Sequence, residues 1–205
     1  KHLEQALPVL KAGKPLFIDK PFAASLGDAY AIVDAAKRYN TPMFSSSSLR
    51  YIEGAKEIAE GKVGKVLGTN VYSPAHFEEH HPDLFWYGVH GVEILFTIMG
   101  TGCKSVKRTF TEGMDVVVGL WDDDRIGTYR GIRSGKGGYG GTVYGDKAIF
   151  NLGEFKGDSA LLVKMTEFYN TGIVPVPHEE TLEIFAFMQA AEESKLKGGI
   201  SVDIE

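Results

Sequence analysis

The sequence predicts an α/β layer followed by an α+β domain, the latter built on a large, mostly antiparallel sheet covered on one face by helices. Three observations carry this expectation. Residues 1–45 alternate helix-period and strand-like apolar runs. Residues 103–152 hold strand-like segments in series, joined by short polar turns. Residues 179–197 form one long helical pattern with a wide apolar set that includes Leu182, Ile184, Phe185, Phe187 and Met188, broad enough to lie on a sheet.

The elements follow in order. Leu3, Ala6, Leu7 and Leu10 have i, i+3, i+4, i+7 spacing and stop at Gly13, so a helix is expected, with Pro8 removing one backbone donor inside it. Residues 15–18 are a short apolar run of the buried parallel-strand kind. Ser25 to Asp28 resembles a capping box, Ala29, Ile32, Val33 and Ala36 share a face, and Lys37 and Arg38 suit the negative end of a helix dipole. Residues 42–44 give a second short strand. Two strands are less than half of a doubly wound domain, so the chain is expected to begin partway through one. That places a boundary at 48, with residues 1–48 the closing part of one domain and 49–205 a second.

Beyond residue 49, Ile52, Ala55 and Ala59 suggest a helix ending at Gly61, and residues 65–77 a long strand. Val89, Val92, Phe96 and Met99 give a helix closed by Gly100. Strands are then expected over 103–111, 114–121, 125–133, 141–144, 148–152 and 160–166, as an antiparallel meander with Asp122–Asp124 and Gly145–Asp146 as turns. Residues 200–204 read as an edge strand.

Composition excludes several classes. Lys plus Arg total 22 against 27 for Asp plus Glu, a net charge of −5 with no basic block, which argues against a nucleic-acid surface. No run approaches the roughly 18 apolar residues of a membrane helix. The one cysteine, Cys103, cannot form an internal disulfide. No apolar signal region follows Lys1, so a cytoplasmic protein is expected.

Four segments could carry chemistry. Residues 135–140 match GxGxxG literally, but strand-like residues follow instead of a helix, so they read as an inter-strand loop. His76 to His81 is dense in His and Glu; it lacks HExxH spacing and reads as a substrate-facing loop, with no metal expected. Asp19-Lys20-Pro21 follows a strand directly, where α/β sheets place ligands. His90 opens the 89–99 helix between Gly88 and Gly91, with room for a ligand beside its ring, and Glu93 is placed to orient it.

Taken together and in order, these motifs resemble the Gfo/Idh/MocA oxidoreductases, the family of glucose-fructose oxidoreductase and inositol dehydrogenase. Asp19-Lys20-Pro21 resembles the family's Glu-Lys-Pro, and Ala12-Gly13-Lys14 the run-in before that strand. Arg50 resembles the Arg after the next strand, Gly64 and Gly68 the paired glycines, and His90 the catalytic histidine. Gly145 to Ala148 resembles a late hairpin, and Ala190-Ala191 through Ser194 to Gly198-Gly199 the closing helix. Two departures stand out: Asp19 replaces Glu, and Trp86 occupies the position where many members carry Asp.

The resemblance implies the tail of a Rossmann domain, then the family's α/β domain. It implies an NAD- or NADP-dependent enzyme moving a hydride from a sugar or polyol carbinol. Lys20, His90 and Tyr87 would be catalytic, with His90 the base; Asp19, Lys20 and Pro21 would touch the cofactor; Arg50, His76 and Tyr87 would touch substrate. A homo-oligomer through the open sheet face is implied, with neither nucleic acid nor membrane as partner. The chain by itself is expected to be inactive. Two alternatives stay open: an oxidation–elimination glycosidase of the same family, and a non-catalytic assembly module.

Overall fold

The computed structural model describes residues 1–204. Helix α1 (His2–Lys11), strand β1 (Leu16–Ile18), α2 (Leu26–Arg38) and β2 (Met43–Ser45) form the first layer, with β1 and β2 parallel. Alternation decides its two faces. Ile18 and Met43 point to α1 and α2, into a core with Leu10, Ile32, Val33 and Ala36. Phe17 and Phe44 point the other way, onto Leu161 and Phe168. Ser25 caps α2 by accepting from the Asp28 N–H.

A 3-10 turn (Ser48–Tyr51) and α3 (Ala55–Ala59) lead to β3 (Val66–Pro74). Then come α4 (Asp83–Trp86), α5 (Val89–Met99), β4 (Cys103–Thr111), β5 (Met114–Trp121), β6 (Ile126–Ile132), β7 (Gly140–Gly145) and β8 (Ile149–Leu152). Helices α6 (Ser159–Thr171) and α7 (His178–Leu196) and the short β9 (Val202–Asp203) close the chain. The seven-stranded sheet has the order β8-β7-β3-β6-β5-β4-β9.

Strands β4, β5 and β6 form the expected meander and β7 and β8 the expected hairpin, but the two do not adjoin. Strand β3 inserts between β6 and β7, parallel to the first and antiparallel to the second, so the sheet is mixed at one ladder. The turn-rich segment 134–139 spans β3 rather than joining neighbours. A second correction concerns residues 160–166, expected as a strand and found inside α6. A seven-residue window hid the longer period: Leu161, Met165 and Phe168 recur at helical spacing and pack on Phe44 and Phe17.

Helix α5 is buried on nearly every side, which fits its almost continuous apolar sequence. It lies between the sheet and α7, with Phe96 against Trp121 and Phe187. Gly91 lets it approach the sheet: a Cβ there would overlap the Tyr129 ring and stand 2.6 Å from the Ser73 hydroxyl. The opposite sheet face is open. Leu120, Ile126, Tyr144 and Ile149 form one in-register row across it, all exposed.

Candidate active site

Parallel pairing brings the C-terminal ends of β1 and β2 to one edge, so Asp19-Lys20 and Ser46-Ser47 emerge side by side. Lys20 reaches the end of α4. Its Nζ lies 5.4 Å from the ring centres of both Trp86 and Tyr87. The Tyr87 ring in turn meets His90 at 5.1 Å and His76 at 5.4 Å, both edge-on. Lys20 and His90, 70 positions apart in sequence, thus flank one tyrosine. A cleft of about 430 Å³ opens beside Lys20 and Trp86, lined also by Pro21, Ala23, His80 and His81; Tyr87 and His90 lie behind this lining.

His90 is buried. Burial, with the Lys20 charge adding, lowers its pKa to about 3, against the opposing pull of Asp158. The ring is therefore neutral at ordinary pH, and so weak an acceptor is poorly matched to the general-base role expected of it. Its Nδ1 lies 2.6 Å from the Ser47 hydroxyl. Among the described residues nothing hydrogen-bonds Nε2, and that atom is not sealed from solvent.

Glu93 does not touch His90, contrary to expectation. Its carboxylate takes Arg50 at 3.0 Å, and Arg50 also holds Glu180 at 2.7 Å. Burial works against the Arg50 charge, yet the two carboxylates hold its pKa above the ordinary value. Burial pushes Glu93 up, while Arg50 and the Ser47 N–H pull it down. The Arg50 side chain is only 11% exposed, with Nε and Nη1 on the two carboxylates and Nη2 buried without a hydrogen-bond partner, and it is absent from the lining of the Lys20 cleft. Glu93 instead steadies Ser47, and Ser47 steadies His90.

The space expected beside His90 at Gly91 is filled by Tyr129. Asp19 is exposed and lines a smaller hollow with α1, away from Trp86, while Pro21 shares the Lys20 cleft. His76 is exposed at the rim. Among the described residues no group of three metal-ligating side chains converges.

Sequence reasoning missed two residues. Ser47 lies in a run of four serines at a strand's C-terminal end, which is a usable signal. Tyr139 lies in the glycine loop; its hydroxyl donates to that of Tyr87 at 3.2 Å, and its ring lies 6.2 Å from His90. Burial and the Tyr87 bond keep the Tyr139 phenol protonated.

No protein-family model matches the chain. It is 30% identical over 83 residues to a 1,5-anhydro-D-fructose reductase of Ensifer adhaerens, covering 38% of this chain and 25% of that protein. It is 28% identical over 108 residues to inositol 2-dehydrogenase 2 of Saccharopolyspora erythraea, covering 48% and 32%. These matches span a quarter to a third of the relatives' length. Among solved structures, scyllo-inositol dehydrogenase from Lactobacillus casei with NAD(H) and scyllo-inositol superposes with a TM-score of 0.78 at 15% identity, over 99% of this chain and 77% of that one. An oxidoreductase from Agrobacterium radiobacter in complex with NAD+, L-tartaric acid and magnesium gives 0.79 at 17% identity, over 99% and 77%. The chain thus shares the fold of these oxidoreductases, and its ordered motifs resemble those of the Gfo/Idh/MocA family.

Proposed function

We propose that this chain supplies the substrate side of an NAD(P)-dependent oxidoreductase acting on a sugar or polyol hydroxyl in the cytoplasm. Residues 1–48 belong to its dinucleotide-binding domain and residues 49–205 to its substrate domain. The observation that carries this reading is the convergence of Lys20, Tyr87 and His90 at the C-terminal ends of parallel strands, with Lys20 opening on a cleft.

The residues present fit the reactive end of a dinucleotide. Lys20, Pro21 and the flat Trp86 ring wall the cleft at that end. Among the described residues no glycine turn opens a helix after a strand, because Gly135–Gly140 runs into β7; the pyrophosphate is not held there. Bound NAD(P) supplies the hydride acceptor. The chain's own groups act on the substrate oxygen. Lys20 takes up the hydroxyl proton as the amine, and the ammonium so formed stabilises the negative charge that develops there. The Tyr87 hydroxyl accepts from Tyr139 and keeps its own proton for the substrate. His76 at the rim meets the distal hydroxyls.

The open-face row of Leu120, Ile126, Tyr144 and Ile149 supports pairing of two copies through the sheet. Light scattering tests this: a dimer agrees with it and a monomer contradicts it.

The functional test uses the protein expressed from its complete reading frame, with NAD or NADP and a panel of polyols and sugars. Reduced nicotinamide should accumulate with one of them. Lys20→Ala should cut turnover about 100-fold or more while leaving cofactor affinity intact. Unchanged turnover would remove Lys20 from the mechanism.

A further inference from the structure

Ser47 is sealed in the interior, 1% exposed. Its hydroxyl oxygen accepts the Leu49 N–H at 3.1 Å and lies 2.6 Å from His90 Nδ1. A hydroxyl has one proton to give. Among the described residues, Nδ1 is the one side-chain or backbone acceptor recorded within reach of that proton. Were Nδ1 protonated instead, the oxygen would accept twice and its own proton would be buried without a partner, a costly arrangement.

We infer that Ser47 is a positioning residue that donates to His90 Nδ1, fixing the neutral ring in the tautomer that carries its proton on Nε2. This rests on the reading of the cleft as a carbinol site and deepens it. His90 then meets the substrate oxygen as a hydrogen-bond donor. It stabilises negative charge on that oxygen and takes no proton from it. The proton of the substrate hydroxyl passes instead to the Lys20 nitrogen, which enters the step as the uncharged amine and leaves it as the ammonium.

The supporting frame is built for this. Arg50 locks Glu93 beside the serine, and the Leu49 N–H and His90 hold its hydroxyl from two sides. The frame also accounts for Arg50 and Glu93 being buried together next to the site while touching nothing in it.

The test is the ring-nitrogen NMR spectrum of the histidines, which distinguishes the two neutral tautomers. The His90→Gln protein identifies the His90 signals by their loss. In the unmodified protein at neutral pH, His90 should show a protonated Nε2 and a bare Nδ1. Ser47→Ala should populate both tautomers, and Ser47→Thr, which keeps the hydroxyl, should restore one. A protonated Nδ1 in the unmodified protein overturns the inference. So does a Ser47→Ala spectrum identical to the unmodified one. If the alanine variant does not fold, the unmodified and threonine spectra still decide. The measurement needs no turnover, so a failed polyol assay would count against the carbinol reading and leave the tautomer standing, and the reverse also holds.

Discussion

Two buried polar clusters meet at helix α4, one at each end. At its start, Asp83 joins Arg108 at 3.1 Å and Lys195 at 2.7 Å, and Arg108 reaches Asp115 at 2.9 Å. Arg133 completes the group on Asp115, and Phe77 and Phe110 flank its cations. Every charge there has an opposite one. At the far end, Lys20 faces two aromatic rings and no carboxylate, and His90 is bonded at one nitrogen of two. The first cluster is charge-paired throughout, with Arg108 Nη1 its one unpartnered buried nitrogen among the described residues, and it ties α4 to the sheet. The second is left incomplete, and a ligand oxygen would complete it. A buried charge with all its partners is weak evidence for function; a polar group held in place yet short of partners is the stronger signal.

The largest contrast should appear in stability. Asp115→Ala leaves Arg108 buried and undercompensated, so unfolding should become easier by about 3–5 kcal/mol, read as the denaturant midpoint. Lys20→Met should stay within about 0.5 kcal/mol of the unmodified protein. Equal losses would break the distinction between the clusters.

Acid sharpens it next. The unfolded chain protonates a histidine near the reference value of about 6.5, whereas His90 in the fold does so only near 3. Between those values the unfolded state binds more protons, so His90's contribution is complete above the upper value and lost as pH falls toward the lower. The loss should amount to a few kcal/mol and be absent in His90→Gln.

Packing gives a smaller effect. Gly91→Ala pushes α5 off the Tyr129 ring and should cost about 1–3 kcal/mol, disturbing His90 with it. Smallest is Tyr139→Phe, which removes one hydrogen bond to Tyr87 and should cost about 1 kcal/mol. Its turnover should fall several-fold, less than for Lys20→Ala.

Much of the fold was readable where one period ran long enough. Helix α5 and strands β4 and β5 lie where their patterns put them, because each pattern spans a whole element. Residues 160–166 misled because half a helix with branched residues looks like a strand. The place of β3 beside β6 was not legible, since pairing across 60 residues leaves no local trace. In the site, Lys20 and His90 stood out by strand-end and helix-start positions, and Tyr87 entered through the family resemblance alone. The two buried carboxylates on Arg50 were not legible, because an arginine near a strand end reads the same whether it faces solvent or buried partners. Tyr139 carried no signal at all, since the fold alone brings its loop back to α5.

The claim that the Lys20 ammonium and the His90 imidazole face each other across Tyr87 is tested most directly by NMR titration of His90, with and without Lys20. In the unmodified protein the ring should titrate at about 3. In Lys20→Met it should titrate distinctly higher, because a neighbouring positive charge has been removed. An unchanged titration would mean that the two groups do not face each other.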